Sequence, residues 1–555
     1  MAEVIGAQLV IEALKHEGID TVYVLPGDPV GSIVNNAAAM GMRVISVRHE
    51  QVGAMAAQAH SYFTRTCGVV IAASGPAHTN TITGMANAWA NCWPLLVIAG
   101  SSENRRRNMG DFQEAPQVES SAPFCKWAYM VEGPQRIPMS VNTAVRYAMS
   151  GRPGAVYIDL PAEIINAPVE REDVYFPAAV GDPPRPQGDP RAIEEALRVL
   201  RTAERPLMII GKGTAWSRAE DELRAFVDKV QIPFLTSPMG MGMVRPDHPM
   251  CVAGSRSQAL KNADVVLLIG ARFNWIFHFG LPPRFARGIK VIQIDITSEE
   301  IGRNVPATVG IVGDAKMVLA QLNEAWKDNP VKHGETDWIR SLREYATKNQ
   351  TTIQPMLDSD AVPMGYYRIH REVRDYISED TIVVADGAST MDISRQVVNA
   401  YKPRHRIDAG IYGCVGTGVP FSIAAKVCFP DKPVICLNGD WAFGFNGMDI
   451  ETACRFKLPV VFMIYQNGNI DKWVRTWVDH AENPNDFVPG IRYEKMMEAF
   501  GGHGEYVTRP EEIRPALERS FNSGKASLIN VAMDPGAARR PQEFGWLDRR
   551  GQMKY

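Results

Sequence analysis

Asp440 and Asn467, 27 residues apart, each lie in a polar turn that follows a short apolar run, and together they could hold a divalent cation. The first turn reads Gly439-Asp440-Trp441-Ala442-Phe443-Gly444 and the second Gln466-Asn467-Gly468-Asn469. One carboxylate, the Asn467 side-chain oxygen and the Asn469 carbonyl leave a hard cation room for phosphate oxygens and water. That suits Mg²⁺ holding a diphosphate better than an all-protein cage. The runs 432–437 and 458–465 read as buried parallel strands, and open α/β sheets bind ligands at the carboxyl ends of such strands. Gly-Asp and Asn-Gly taken singly are also ordinary turn chemistry. The pair at this spacing is the more specific signal.

That pair resembles the thiamine-diphosphate-binding motif, which runs from Gly-Asp-Gly to a downstream Asn; Trp441 stands where the family has a small residue. The resemblance implies that Gly439, Asp440, Trp441, Ala442, Asn467 and Asn469 border the cofactor, with Asp440, Asn467 and Asn469 on Mg²⁺. It also implies a Glu at a strand end near the N-terminus, and Glu50 occupies that place. It follows 42–49 and opens the small-residue stretch 51–59, which reads as a helix. A buried carboxyl shared with the aminopyrimidine ring favours the imino tautomer, whose nitrogen can take the thiazolium C2 proton. From the residues alone, Glu50 reads equally as a helix N-cap or a surface carboxylate. By the same resemblance Gly413 offers its carbonyl to the cofactor's amino group and Val415 props the two rings into a V. Asp386, Gly387, Ala388 and Ser389 form a strand-to-helix turn whose N–H groups suit the diphosphate, or a plain N-cap.

These residues need sheets to position them. Apolar runs at 22–27, 68–73 and 94–100 build a first α/β domain, 1–175, and 176–190, rich in Pro, Gly and Asp, reads as a linker. Runs at 207–211, 264–270 and 291–295 build a second sheet in 190–340. The run 381–387 and the metal motif belong to a third domain, 360–535. The expected fold is three flavodoxin-like parallel-sheet α/β domains: pyrimidine-binding, central nucleotide-binding-like and diphosphate-binding, with a tail over 536–555. First and third should share only their strand–helix order.

A chain of 555 residues exceeds one ordinary core. Its net charge of −3 is spread without long runs, which gives no footprint for nucleic acid or an anionic membrane. No segment approaches the about 18 apolar residues that span a bilayer, and neither a signal-peptide pattern nor a peroxisomal ending is read, so a cytoplasmic protein is expected. The eight cysteines form no CxxC pair and read as reduced core thiols.

From residue 3 onward the chain resembles the branch that holds the 2-hydroxyacyl-CoA lyases and oxalyl-CoA decarboxylases. The matching segments include 84–88, 91–98, 112–119, 263–280 and Pro541-Gln542-Glu543-Phe544-Gly545-Trp546, and they favour the lyase. The resemblance implies cleavage of a 2-hydroxyacyl-CoA between C1 and C2 to formyl-CoA and an aldehyde or ketone, 2-hydroxyisobutyryl-CoA to acetone among the substrates. Alternatives are oxalyl-CoA decarboxylation, an acetolactate-synthase-like carboligation, and a silent cofactor-binding scaffold. Gln113, in a loop entering a partner's site, would bind the substrate oxygen, and Glu494 is a candidate acid/base. His49 and His78 could also move protons. Arg539 and Arg540 would meet CoA phosphates in a closing tail. Arg152, Lys212, Arg272 and Asp295 match positions that hold ADP in the decarboxylases, or form surface ion pairs. The cofactor would span a dimer interface within a homotetramer, a dimer of dimers.

Overall fold

The structure is a computed structural model that describes residues 3–326, 333–470 and 485–540. In chain order its strands are β1 (Glu3–Ile5), β2 (Thr21–Val24), β3 (Arg43–Ser46), β4 (Gly68–Ala72), β5 (Leu95–Ser101), β6 (Ala128–Met130), β7 (Ala155–Pro161) and β8 (Pro168–Glu170). The middle domain holds β9 (Pro206–Ile210), β10 (Phe234–Thr236), β11 (Val265–Ile269), β12 (Lys290–Asp295) and β13 (Val309–Val312). The third holds β14 (Ile382–Asp386), β15 (Arg406–Asp408), β16 (Val434–Gly439), β17 (Val461–Gln466), β18 (His503–Val507) and β19 (Ser527–Ala532). Strands such as Gly68-Val-Val-Ile-Ala72 and Val265-Val-Leu-Leu-Ile269 are buried along their whole length, because helices cover both faces of a parallel sheet.

The first sheet runs β3-β2-β4-β5-β7-β6 and the third β15-β14-β16-β17-β19-β18. Counted within each domain, both are 2-1-3-4-6-5. The middle sheet, β10-β9-β11-β12-β13, is 2-1-3-4-5. Three parallel-sheet α/β domains are therefore present, as the apolar runs predict. The antiparallel pair β1–β8, with Glu3 opposite Glu170, ties the start of the first domain to its end. Periodicity gave no hint of that pair, since three-residue strands are too short to show a period.

Two helices occupy equivalent places after the second strand of each six-stranded sheet, Glu50–Thr64 and Gly418–Cys428, and they pack against each other. Both are buried on nearly every face, which explains their Ala- and Gly-rich composition. Gly68 permits the closest approach: a Cβ there would lie 1.8 Å from the Ala57 carbonyl oxygen. Tyr62 stacks on Trp93 at 5.1 Å, Trp93 meets Phe421 edge-on at 5.6 Å, and the Tyr62 hydroxyl donates to the Met239 carbonyl. All three domains meet at this aromatic cluster. Among the described residues no helix is long and apolar enough to cross a membrane.

Candidate active site

In the third sheet β14, β16 and β17 are neighbours, with Asp386 in register with Asn438 and Gly439 with Tyr465. Their carboxyl ends deliver Asp386-Gly387, Gly439-Asp440 and Gln466-Asn467 to one edge of the sheet. The chain leaves β14 toward β15 on one side and returns as β16 on the other, so this edge is a topological switch point, where such sheets bind ligands. Gly387 has φ +87°, and a Cβ on it would come within 3.3 to 3.5 Å of Gly439 and the Ala442 side chain. The two turns thus face each other across a gap that only small residues leave open. Helix Ala388–Val397 begins at this gap without a side-chain cap, so the Ala388 and Ser389 end presents N–H groups and a positive dipole end suited to phosphate.

Asp440 is 2 % exposed and opens helix Asp440–Asn446. Its Oδ1 accepts from the Trp441 N–H at 2.9 Å and its Oδ2 from the Gly468 N–H at 2.7 Å, which locks the two motif turns together. Burial pushes its carboxyl up to about 6 against the pull of those backbone bonds. Asn467 donates through Nδ2 to the Tyr366 hydroxyl and accepts through Oδ1 from the Asn469 N–H. The amide is thereby oriented with its oxygen on the Asn469 side, and a second lone pair remains on that oxygen. Asn469 is buried. No group of three or more His, Cys, Asp and Glu side chains among the described residues could hold a metal. The donors here are one carboxylate, an amide and a carbonyl, a set that fits Mg²⁺ only with a diphosphate to complete it. Trp441 is half-buried and meets Phe445 edge-on at 5.9 Å, packed along the helix.

Asp386 is fully buried, accepts from the N–H groups of Gly387 and Gly418, and is pushed up to about 6 by burial. Its bond to Gly418 fixes the loop carrying Gly413, exposed with φ +67°, and Val415, half-buried. Glu50 is 7 % exposed at the first position of its helix, with His49 as the N-cap, and its Oε2 accepts from Asn80 Nδ2 at 2.9 Å. The helix-cap alternative therefore belongs to His49. Gln51 donates to Asn446 at the far end of helix Asp440–Asn446. Seven helical residues span roughly 10 Å, so within one chain Glu50 and Asp440 lie toward opposite ends of that helix.

Gln113 is half-buried with φ +56°, and its Oε1 accepts from the Ser74 hydroxyl at 2.6 Å. Glu114 accepts from the N–H groups of Asn108, Gly110 and Asp111 and so shapes the loop. Phe112 beside it is 67 % exposed. Both Glu494 oxygens are engaged, one by Arg492 Nε and the other by Asn530 Nδ2, so the buried carboxylate is held by an exposed arginine and an amide. Burial drives His78 down to about 4, and its Nε2 is bonded to Ser121, which makes it a neutral structural residue. Arg539 pairs with Asp392 in helix Ala388–Val397, which starts at the Gly387 turn, and the Arg540 N–H donates to Tyr367. The segment 541–546 and the rest of the tail lie outside the described residues.

Arg152, Lys212, Arg272 and Asp295 line one cavity of about 380 Å³ between the first and middle domains. Arg152 pairs with Glu300 at 2.6 Å, Arg272 donates to the Ala90 carbonyl, and Lys212 donates to Asn91 and lies over the Trp93 ring. Burial pushes Lys212 down to about 7 and Asp295 up to about 6. Surface ion pairing does not describe them. The expectation of eight core thiols also needs correction: Cys67 and Cys436 alone are fully buried, and Cys92 lines this cavity.

The matches to known families follow the same three domains. Residues 5–120 match "Thiamine pyrophosphate enzyme, N-terminal TPP binding domain", 193–322 the central domain and 386–531 the C-terminal TPP binding domain. The chain belongs to the thiamine pyrophosphate enzymes. Among its relatives, human 2-hydroxyacyl-CoA lyase 1 is 40 % identical over 99 % of this chain and 97 % of its own. The 2-hydroxyacyl-CoA lyase of Arabidopsis thaliana is 38 % identical over 96 % of each, and the oxalyl-CoA decarboxylase of Escherichia coli (strain K12) 38 % over 96 % and 95 %. Within this thiamine pyrophosphate enzyme, sequence reading missed Asn80 and Tyr366. Their partners Glu50 and Asn467 lie 30 and 101 residues away, so no local pattern could reveal them.

Proposed function

We propose that this thiamine pyrophosphate enzyme is a Mg²⁺-dependent lyase that cleaves the C1–C2 bond of 2-hydroxyacyl-CoA thioesters, reversibly, to formyl-CoA and an aldehyde or ketone. The observation that carries the reading is the locked cradle of Asp440, Asn467 and Asn469 facing Gly387, taken with the buried Glu50. Asp440, Asn467 and Asn469 would hold Mg²⁺, while Gly387, Ala388 and Ser389 turn N–H groups toward the diphosphate. Gly413 would offer a carbonyl to the pyrimidine, Val415 would support the rings, and Glu50 would hold a proton toward the pyrimidine nitrogen. When bound, the cofactor supplies the electron sink for the bond that breaks.

Gln113 would bind the substrate oxygen through its amide N–H groups, with Oε1 held by the Ser74 hydroxyl. The acid/base, Glu494 in this reading, would take the C2 hydroxyl proton as the C1–C2 bond breaks and the carbonyl product forms. Glu494 would have to exchange Arg492 for substrate before acting as the acid/base, and Gln113 is the better-placed substrate contact. Arg539 and Arg540 would meet the CoA phosphates. ADP is the proposed occupant of the cavity at Arg152, Lys212, Arg272 and Asp295, where cations and an acceptor for ribose hydroxyls converge.

The separation of Glu50 from Asp440 within one chain supports a site shared by two subunits. So do the exposed Phe112 and Tyr412 on loops, and Phe445 on helix Asp440–Asn446, around the two half-sites. A cytoplasmic homotetramer, a dimer of dimers, completes the reading. Product analysis tests it: 2-hydroxyisobutyryl-CoA, a straight-chain 2-hydroxyacyl-CoA and oxalyl-CoA are supplied separately with thiamine diphosphate and Mg²⁺. Formyl-CoA with acetone or an aldehyde is expected. Carbon dioxide from oxalyl-CoA alone would transfer the protein to the decarboxylases, and no product from any would end the lyase reading.

A further inference from the structure

The cavity between the first and middle domains carries a nucleophile that the proposed reaction does not use. Cys92 ends helix Pro76–Asn91 in a left-handed conformation, φ +58°, which turns the backbone sharply before Trp93. Arg152 Nε–H donates to its sulfur at 3.0 Å. Arg272 and Lys212 line the same cavity, bonded to the Ala90 carbonyl and Asn91, and their charges act on this sulfur, as does that of Lys126. The carboxylates nearby lie one layer out: Glu300 is taken up by Arg152, and Asp295 accepts from the Thr297 N–H. Trp93 lines the cavity as well, and its buried indole N–H has no acceptor among the described residues. The cavity wall therefore gathers three cationic side chains around one sulfur, with Arg152 donating to it directly.

We propose that Cys92 is a modification site, a thiolate held in the cavity wall by Arg152, Arg272 and Lys212 and open to attack on peroxides. The sulfur forms a bond to one peroxide oxygen, the O–O bond breaks, and hydroxide leaves. Cysteine thiolate and hydrogen peroxide become cysteine sulfenic acid and hydroxide, with the sulfur oxidised by the two electrons that the peroxide gains. Burial works to raise the Cys92 thiol, but the charges of Arg272, Arg152 and Lys212 and the Arg152 hydrogen bond overcome it and bring the thiol below its ordinary value. The other cysteines go the opposite way: burial pushes up 67, 125, 251, 414, 428, 436 and 454. Electrostatics thus singles out one sulfur among eight, the arrangement that makes thiol chemistry site-selective. An anionic nucleotide in the cavity would draw on the same cations, so occupancy and thiolate charge oppose each other.

The test uses the full-length protein loaded with thiamine diphosphate and Mg²⁺. Limiting iodoacetamide is added at neutral pH and each cysteine is quantified by mass spectrometry against time. Cys92 should label at least about tenfold faster than any other cysteine, the ratio that one pKa unit gives. Its rate should hold its plateau below the pH where an ordinary thiol loses reactivity. Arg152→Gln should slow it, ADP added as a probe should slow it, and hydrogen peroxide with dimedone should leave an adduct at Cys92 that is missing in Cys92→Ser. Should Arg152→Gln fail to fold, the ultraviolet thiolate absorbance of wild type minus Cys92→Ser, titrated with pH, reads the same ionisation. Labelling of Cys92 no faster than the rest, or an absorbance step in the ordinary thiol range, would overturn the proposal.

Discussion

The first and third domains share the strand order 2-1-3-4-6-5, yet their switch points are built for different work. In the first, the crevice between β2 and β4 is filled by the chain itself. The Ser74 N–H donates to the Asp28 carbonyl, Pro29 packs where a Gly100 Cβ would lie, and Gln117 accepts from the Gly75 N–H while donating to Gly100 and Asp159. In the third, the equivalent edge carries two buried carboxylates, uncapped helix N–H groups and glycines that keep side chains out. One topology thus serves once as a closed platform that offers Glu50 and Gln113 from its rim, and once as an open cradle. Equal strand order does not imply an equal site; the residues at the strand ends decide.

The sharpest way to break this comparison is to remove the single group that the platform is proposed to give the chemistry. Glu50→Ala should lower turnover by about 10²- to 10⁴-fold, the range for a lost acid–base group. Folding should survive, since Asn80 is the bonded partner seen for Glu50, and circular dichroism checks that. Retained turnover would leave the platform without a chemical role.

The cradle should show its buried charge in the pH dependence of the apoprotein's stability. Asp386 is raised to about 6, so between the unfolded value near 4 and that pH the folded state holds the extra proton. Its contribution is full below about 4 and is lost as pH rises through about 6, a change of about 3 kcal/mol. Melting temperatures of wild type and Asp386→Asn across that window should diverge, with the wild type losing more stability as pH rises, since Asp440 and Asp295 titrate in both; parallel curves would show a solvated carboxylate.

Asp440→Asn keeps the shape of the turn and removes the charge. Mg²⁺ affinity, read by titration in the presence of thiamine diphosphate, should fall by about 10- to 100-fold, with the amide oxygen accepting from one of the two N–H groups, Trp441 or Gly468, that the carboxylate holds. Unchanged affinity would move the metal elsewhere. The smallest effect belongs to the platform's rim: Gln113→Ala should lower kcat/KM by about tenfold, the worth of one hydrogen bond. No change in steady-state kinetics would restrict Gln113 to its contact with Ser74.

Much of this protein was legible in the chain before any tertiary contact. Fully buried parallel strands leave continuous apolar runs, so β4, β5, β11, β14, β16 and β17 and the three-domain order could be read directly. The metal motif was legible for the same reason, because its polar residues stand at the ends of those runs. The short strands β1, β6, β8, β10 and β13 were not, since three or four residues carry no period and pairing partners come from afar. Residue types alone favoured neither Glu50 nor Glu494 as a catalytic group, and the resemblance nominated Glu50; in the tertiary structure Glu494 is bonded to Arg492 and Asn530, and Glu50 to Asn80. The same holds for the thiols. Sequence treats Cys92 and Cys67 as equal small hydrophobes, and only the fold, by bringing the charges of Arg272, Arg152 and Lys212 from two domains near one sulfur, holds the first thiol below its ordinary value while burial pushes the second up. Local pattern determines which segments become strands and where the turns fall, because backbone geometry is a near-neighbour property. Charge state and partnership are set by groups distant in sequence, and those meet only after the sheets have packed.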